Sequence, residues 1–133
     1  MRAHEVAVVV HRPGGRFLVL LRSPLRGGYW NLVAGGVEPG ELADGAAARE
    51  LAEETGLTAP LTPLGLELSY EKPGGRVRLD AFAVTAPAGW EPTLDDEHVE
   101  HRWCTAAEAI ALLDYPEPRE AVRAVAQALG AKL

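Results

Sequence analysis

The sequence predicts a mixed α/β class, with helices covering a sheet, and three observations predict it. Short apolar, β-branched runs alternate with turns punctuated by Gly and Pro; the stretch 42–55 is rich in Ala, Leu and Glu and free of proline; and no internal repeat, linker or low-complexity tract interrupts the pattern. At 133 residues, with 47% hydrophobic and 24% charged content, the chain fits a single domain over residues 1–133 with one core.

The elements follow in order. Val6–Val10 and Phe17–Leu21 are apolar runs separated by Pro13, Gly14 and Gly15, which reads as two buried strands joined by a turn. A polar loop from Arg22 to Gly28 leads to a short strand, Tyr29–Val33, and then to a structured loop carrying Gly35, Gly36, Pro39 and Gly40. Leu42–Thr55 should be a helix ended by Gly56 in the left-handed conformation, with Glu41 and Asp44 at the positive end of its dipole. Leu64–Tyr70 and Val77–Val84 form a hairpin about Pro73, Gly74 and Gly75. His98–Cys104 reads as one more strand. Thr105 and Glu108 make a capping box that opens a short helix ending near Leu113, and a last amphipathic helix runs from Glu117 or Pro118 to Leu129.

Composition narrows the function. There is no run of about 18 apolar residues and no basic stretch followed by an apolar block, so the expectation is a cytoplasmic protein without a membrane partner. Cys104 is the only cysteine, which rules out an internal disulfide and agrees with a reducing compartment. A net charge of -6 disfavours binding to polymeric nucleic acid, which depends on neutralising many phosphates, but leaves small metal-bound anions open. Lys72 and Lys132 are the only lysines, so basic charge is mostly Arg, the better bidentate partner for phosphate. The sequence is silent on oligomeric state and leaves a homodimer open.

The chemistry-bearing stretch is Gly35–Leu57. Glu50, Glu53 and Glu54 are spaced i, i+3 and i+4, which brings all three onto one face of a helix. Like charges so placed repel by roughly 0.2–0.5 kcal/mol per pair, with Arg49 the single compensating charge beside them. A divalent cation would resolve the conflict. Oxygen ligands without His or Cys favour Mg2+, with Mn2+ as a substitute, over zinc. Ala43, Ala46 and Ala47 are expected to leave room beside the acids, while Ala48, Leu51 and Thr55 pack on the sheet. Read alone, the same glutamates also fit a solvated helix face.

Read together, Gly35, Glu41, Arg49, Glu50, Leu51, Glu53, Glu54, Gly56 and Leu57 match the pattern G-x5-E-x7-R-E-U-x-E-E-x-G-U (U aliphatic) at every specified position. The segment 35–57 therefore resembles the Nudix box, and the chain resembles a Nudix (MutT-like) hydrolase, closest in character to members acting on dihydroneopterin or nucleoside triphosphates. The resemblance implies an α/β/α sandwich with a mixed sheet and a loop-helix-loop catalytic box. It implies Mg2+-dependent cleavage of a diphosphate linkage in a nucleoside or pterin triphosphate, or in a related nucleoside diphosphate derivative. Glu50 and Glu54 look like metal ligands, Glu53 a further ligand or the base that activates water, and Arg49 the residue that orients them. Gly35, Gly36 and the loop to Glu41 would bring backbone to the metal.

Beyond the box, Glu97 stands where similar triphosphate-cleaving members have a glutamate that reaches the metals and serves as base. Arg22 follows the second strand where phosphate-binding arginines occur in such proteins. Tyr29, Trp30 and Trp90 are candidates to stack on a base or pterin ring, with Ala34 and Glu41 as further substrate-side positions. Trp103 reads as core, and Arg76 and Arg78 as the exposed side of a hairpin strand. His98 and His101 are expected on opposite faces of their strand, which argues against a zinc pair.

Two positions depart from the common pattern. Ala34 stands where many relatives that sanitise oxidised nucleotides have Pro, which weakens that substrate, and Leu42 replaces the usual Ser or Thr cap. The competing readings are a non-catalytic Nudix-like module that binds a nucleotide and regulates a partner, against which the intact glutamates argue, and an isoprenoid diphosphate isomerase. The isomerase would need a reactive cysteine in its pocket, whereas Cys104 lies on a strand after the site.

Overall fold

The computed structural model describes residues 3–130. Its strands are β1 (His4–Arg12), β2 (Arg16–Arg22), β3 (Trp30–Asn31), β4 (Val33–Gly36), β5 (Thr62–Pro63), β6 (Leu68–Lys72), β7 (Gly75–Thr85) and β8 (His98–Cys104). The helices are α1 (Ala43–Thr55), α2 (Ala106–Leu112) and α3 (Pro116–Ala128). All eight strands join one mixed sheet. β1 runs parallel to β7, and every other pairing is antiparallel.

Strand alternation sorts the core into two layers. Val6, Val8 and Val10 of β1, Leu18 and Leu20 of β2, and Phe82 and Val84 of β7 pack against Ala46, Ala47 and Leu51 of α1. Val9, Phe17, Val19 and Ala81 face the other way, onto Ala106 and Ala109 of α2 and Ala121, Val122, Val125 and Ala126 of α3. Helices therefore cover both faces of the sheet, as expected for an α/β/α sandwich. The predicted runs at Val6–Val10 and Phe17–Leu21 are continuous rather than alternating because both faces are buried. No helix among the described residues is long and apolar enough to cross a membrane.

Several expectations need correcting. The single strand read at Tyr29–Val33 is two. Asn31 Oδ1 accepts the Leu32 N–H at 2.8 Å, and the chain leaves β2 to pair with β1 instead. That switch turns Ala34, Gly35 and Gly36 into strand residues, registered against Ala7, Val6 and Glu5. The hairpin's first strand begins at Leu68 rather than Leu64, because Gly65, at φ 69°, interrupts extended backbone. On α1, Ala46 and Ala47 are core and Ala48 is exposed, so the alanines clear no space for ligand. Leu42 caps α1 without a side-chain bond, whereas Thr105 and Glu108 form the full capping box of α2. α3 begins at Pro116, whose fixed φ and missing N–H suit the first turn.

Candidate active site

The site is built where α1 meets β4. Gly56, at φ 81°, ends α1, and the helix presents Glu50, Glu53 and Glu54 along one edge of its buried stripe. Their environments differ sharply. Glu53 is 55% exposed, Glu50 12% and Glu54 4%. Loss of hydration pushes the pKa of both Glu50 and Glu54 well above the carboxylate range, and the repulsion between the clustered acids pushes them further. Without a cation, Glu50 and Glu54 therefore hold their protons far more tightly than a solvated carboxylate does.

Arg49 is the compensating charge, and it does more than neutralise one neighbour. Its Nε and Nη2 donate to the two oxygens of Glu41 at 2.9 and 3.0 Å, Nη1 donates to Glu50 at 2.7 Å, and Nη2 also reaches the Gly36 carbonyl at 2.9 Å. Glu53 lies 3.5 Å away. One planar fork thus ties the loop before α1, the end of β4 and the acids together, which a lysine could not span. Glu41 in turn accepts the Glu38 N–H at 3.0 Å, so it anchors the loop through Arg49 and does not line the cleft.

Gly35 explains why the acids can reach the sheet. A Cβ at this position would overlap the Glu50 carboxylate, so only glycine lets Glu50 lie flat against β4. Next to it, the Ala34 N–H donates to Glu54 Oε1 at 3.3 Å. Glu50, Glu53 and Glu54 border one end of a cleft of about 830 Å3. Its other walls bring in Arg22, Arg26, Tyr29 and Asn31, then Glu5, Tyr70 and Lys72, then Asp95 and Glu97, and finally Tyr115 and Pro118 at the start of α3.

The predicted site residues separate into those gathered here and those placed elsewhere. Arg49, Glu50, Glu53, Glu54, Gly35, Ala34, Glu97, Arg22 and Tyr29 line the cleft. Glu97 lies 3.5 Å from Arg26, and Arg22 stacks over the Tyr29 ring at 5.5 Å. Trp30 is not a lining residue; it packs into the α2–α3 layer with Arg102 stacked 4.8 Å over it. Trp90 packs edge-on to Trp103 in the α1 layer, where the Trp103 indole donates to Glu91. Arg76 and Arg78 are exposed, with Val77 and Leu79 buried between and beside them.

The expected placement of His98 and His101 on opposite faces is corrected by the pairing of β8. The β2–β8 register slips between Leu21 and Arg22: Glu100 opposes Leu21, His98 opposes Arg22, and Val99 is skipped. This bulge resets the alternation, so the two histidines share the face turned toward α1. They still have separate partners, Asp95 for His98 at 2.8 Å and Glu91 for His101 at 3.1 Å.

Sequence reasoning missed Arg26, Tyr115 and the trio Glu5, Tyr70 and Lys72. Tyr115 meets Tyr29 edge to face at 5.2 Å. Glu5 accepts hydrogen bonds from the Tyr70 hydroxyl and, at 3.0 Å, from Lys72; burial and this bond push the Tyr70 phenol up to about 12. Apart from Tyr70 and Lys72, which alternate on β6, they come from separate segments that no local pattern links.

The model of the NUDIX domain family matches residues 1–125. The chain belongs to the Nudix family. Among curated relatives it is 38% identical over 128 residues to an octanoyltransferase of Myxococcus xanthus, covering 92% of this chain and 36% of that one. It is 34% identical over 119 residues to an 8-oxo-(d)GTP phosphatase of Mycolicibacterium smegmatis, covering 90% of this chain and 33% of that one. The Nudix chain thus spans about a third of the length of these relatives. Its fold is similar to that of the E. coli dihydroneopterin triphosphate pyrophosphohydrolase, with a TM-score of 0.84 at 27% identity, covering 92% and 93% of the two chains.

The donor set fits a hard divalent cation. It offers carboxylate oxygens without sulfur, two of them buried without full compensation. Among the described residues no three His, Cys, Asp or Glu side chains already stand in ligating geometry. A preformed cage is not required, because Mg2+ retains waters and shares its remaining positions with substrate phosphates.

Proposed function

We propose that this chain is a Mg2+-dependent hydrolase, with Mn2+ as a substitute, that cleaves a diphosphate linkage in a nucleoside or pterin triphosphate. One observation carries the reading: the clustered, dehydrated carboxylates of α1 line the same cleft as Arg22, Arg26, Tyr29 and Tyr115. An acidic surface for a cation, beside cationic and aromatic surfaces for phosphate and a ring, suits a polyphosphate ester with a planar base. The likeness to a dihydroneopterin triphosphate pyrophosphohydrolase supports the triphosphate class.

In this reading Glu50 and Glu54 hold the cation, with the more exposed Glu53 beside them. A bound divalent ion would polarise phosphoryl oxygens, offset developing charge and lower the pKa of an attacking water. The protein's own part is positioning. Arg49 fixes Glu50 against β4, and Gly35 gives the cation site close access to backbone. Arg22 and Arg26 take the phosphate groups farther from the cleavage point. Glu97, partly exposed on the cleft wall, takes a proton from water in this reading, a role for which Glu53 is the alternative. The edge-to-face pair of Tyr29 and Tyr115 offers one aromatic surface to the ring of the substrate.

A phosphate-release screen over nucleoside and pterin triphosphates, dinucleoside polyphosphates, ADP-ribose and nucleotide sugars, run with Mg2+ and inorganic pyrophosphatase, tests the proposal. Turnover of a triphosphate to monophosphate and pyrophosphate, lost in Glu54→Gln, is the expected result. Hydrolysis of none of these compounds, or full activity in Glu54→Gln, would overturn it.

A further inference from the structure

His98 is fully buried, yet its Nε2 has no hydrogen-bond partner, the one such buried side-chain nitrogen or oxygen among the described residues. A buried polar atom without a partner costs free energy that an apolar side chain of the same volume would not, so it calls for a reason. The reason lies in its direction. Asp95 holds Nδ1 at 2.8 Å and thereby fixes the ring, while Nε2 points at Glu54 Oε1, 3.7 Å away. The same oxygen accepts the Ala34 N–H. Glu54 Oε1 is therefore flanked by the main chain of β4 and by the imidazole of β8, while the carboxylate also borders the cleft.

The β-bulge at Val99 is what aims the ring there. Without it, His98 would fall on the opposite face from His101, away from α1. We infer that Asp95 and His98 form a buried positioning pair that orients the Glu54 carboxylate for cation binding. A small rotation of either side chain would close the gap of 3.7 Å, and because Asp95 takes the Nδ1–H, the Nε2 donates to an ionised Glu54 from a ring that carries a proton on each nitrogen, an imidazolium held between two carboxylates. Carboxylates that bind metals are commonly held in this way by hydrogen bonds behind the ligand. The inference rests on the assignment of Glu54 to cation binding made above.

The test is a titration of the full chain with Mn2+ alone, followed by electron paramagnetic resonance, on wild type, His98→Phe, His98→Gln and Asp95→Asn. Melting temperatures of the same samples report on the fold. His98→Phe fills the space without a nitrogen, and Asp95→Asn loosens the ring; each should weaken Mn2+ binding about 10- to 100-fold. His98→Gln carries an amide nitrogen to the position of Nε2 and should retain most of the affinity. A residue that merely fills the core would give the reverse order, with His98→Phe neutral and His98→Gln damaging. Asp95, which is partly exposed, decides the matter should His98→Phe fail to fold. Wild-type affinity in folded His98→Phe and Asp95→Asn would overturn the positioning pair alone, whereas a wild type that takes up no Mn2+ would bring down the hydrolase reading together with it.

Discussion

A carboxylate that has lost most of its water beside two others is costly to keep ionised, and Glu54 is in that position. Its raised pKa fixes the sign of a pH effect. Below the ordinary value of 4.5 folded and unfolded chains are both protonated and the group contributes nothing. As pH rises past that point the unfolded chain ionises freely, while the folded chain must hold a proton or bury a charge. Stability is therefore lost as pH climbs toward and beyond neutrality. A tenfold change in proton affinity between the two states is worth about 1.4 kcal/mol. The metal-free protein should accordingly melt at a lower temperature at pH 8 than at pH 6. Glu54→Gln should reduce that difference and raise the melting temperature at pH 8 by several degrees, on a scale of about 3–5 °C per kcal/mol; scanning calorimetry in the presence of a chelator measures both. Gly35 makes a second residue-scale case. Gly35→Ala forces the Glu50 carboxylate off β4, and a displacement of about 1 Å near the reacting groups should cost roughly a hundredfold in kcat. Steady-state kinetics on the substrate identified by screening would show it.

At the scale of elements, what could be read in advance depended on how local the cause was. α1 and its acids were legible because helix propensity, a terminal glycine and carboxylates one turn apart all lie within 23 residues of chain, 35–57. The capping box of α2 was legible for the same reason, and it offers a prediction independent of function. Thr105→Ala removes the acceptor for the Glu108 N–H and should cost about 1 kcal/mol of stability, read from denaturant unfolding, with turnover unchanged because α2 does not line the cleft. The failures have tertiary causes. Asn31 ends one pairing and lets the chain begin another, which only the positions of β1 and β2 together decide. The bulge in β8 leaves no mark in the run His98–Cys104, so strict alternation assigned His98 to the wrong face. Ala48 was misplaced because an alanine-rich helix offers little contrast between its faces.

At the scale of the whole molecule, the cleft exists because the sandwich brings distant segments to one end of the sheet. Glu5 meets Tyr70 across 65 residues of sequence, and Tyr29 meets Tyr115 across a still longer span. No periodicity announces such meetings, so the walls that would choose the substrate were the least legible part of the site, whereas its acidic end was spelled out in one motif. That division has a physical logic. Cation chemistry needs several oxygens fixed relative to one another, which one helix and one adjoining strand can supply. Recognition of a ring needs surfaces from opposite sides, supplied here by the loop before β3, the β6–β7 hairpin and the start of α3.

The central claim is that the acids of α1 take up a divalent cation together with a polyphosphate. Isothermal titration of Mn2+ into the protein with a non-hydrolysable nucleoside triphosphate analogue present, comparing wild type with a folded Glu50→Gln, Glu54→Gln double variant, tests it most directly. Saturable uptake by wild type that disappears in the double variant is the expected result. Equal uptake by both, or none by wild type with the analogue bound, would contradict it.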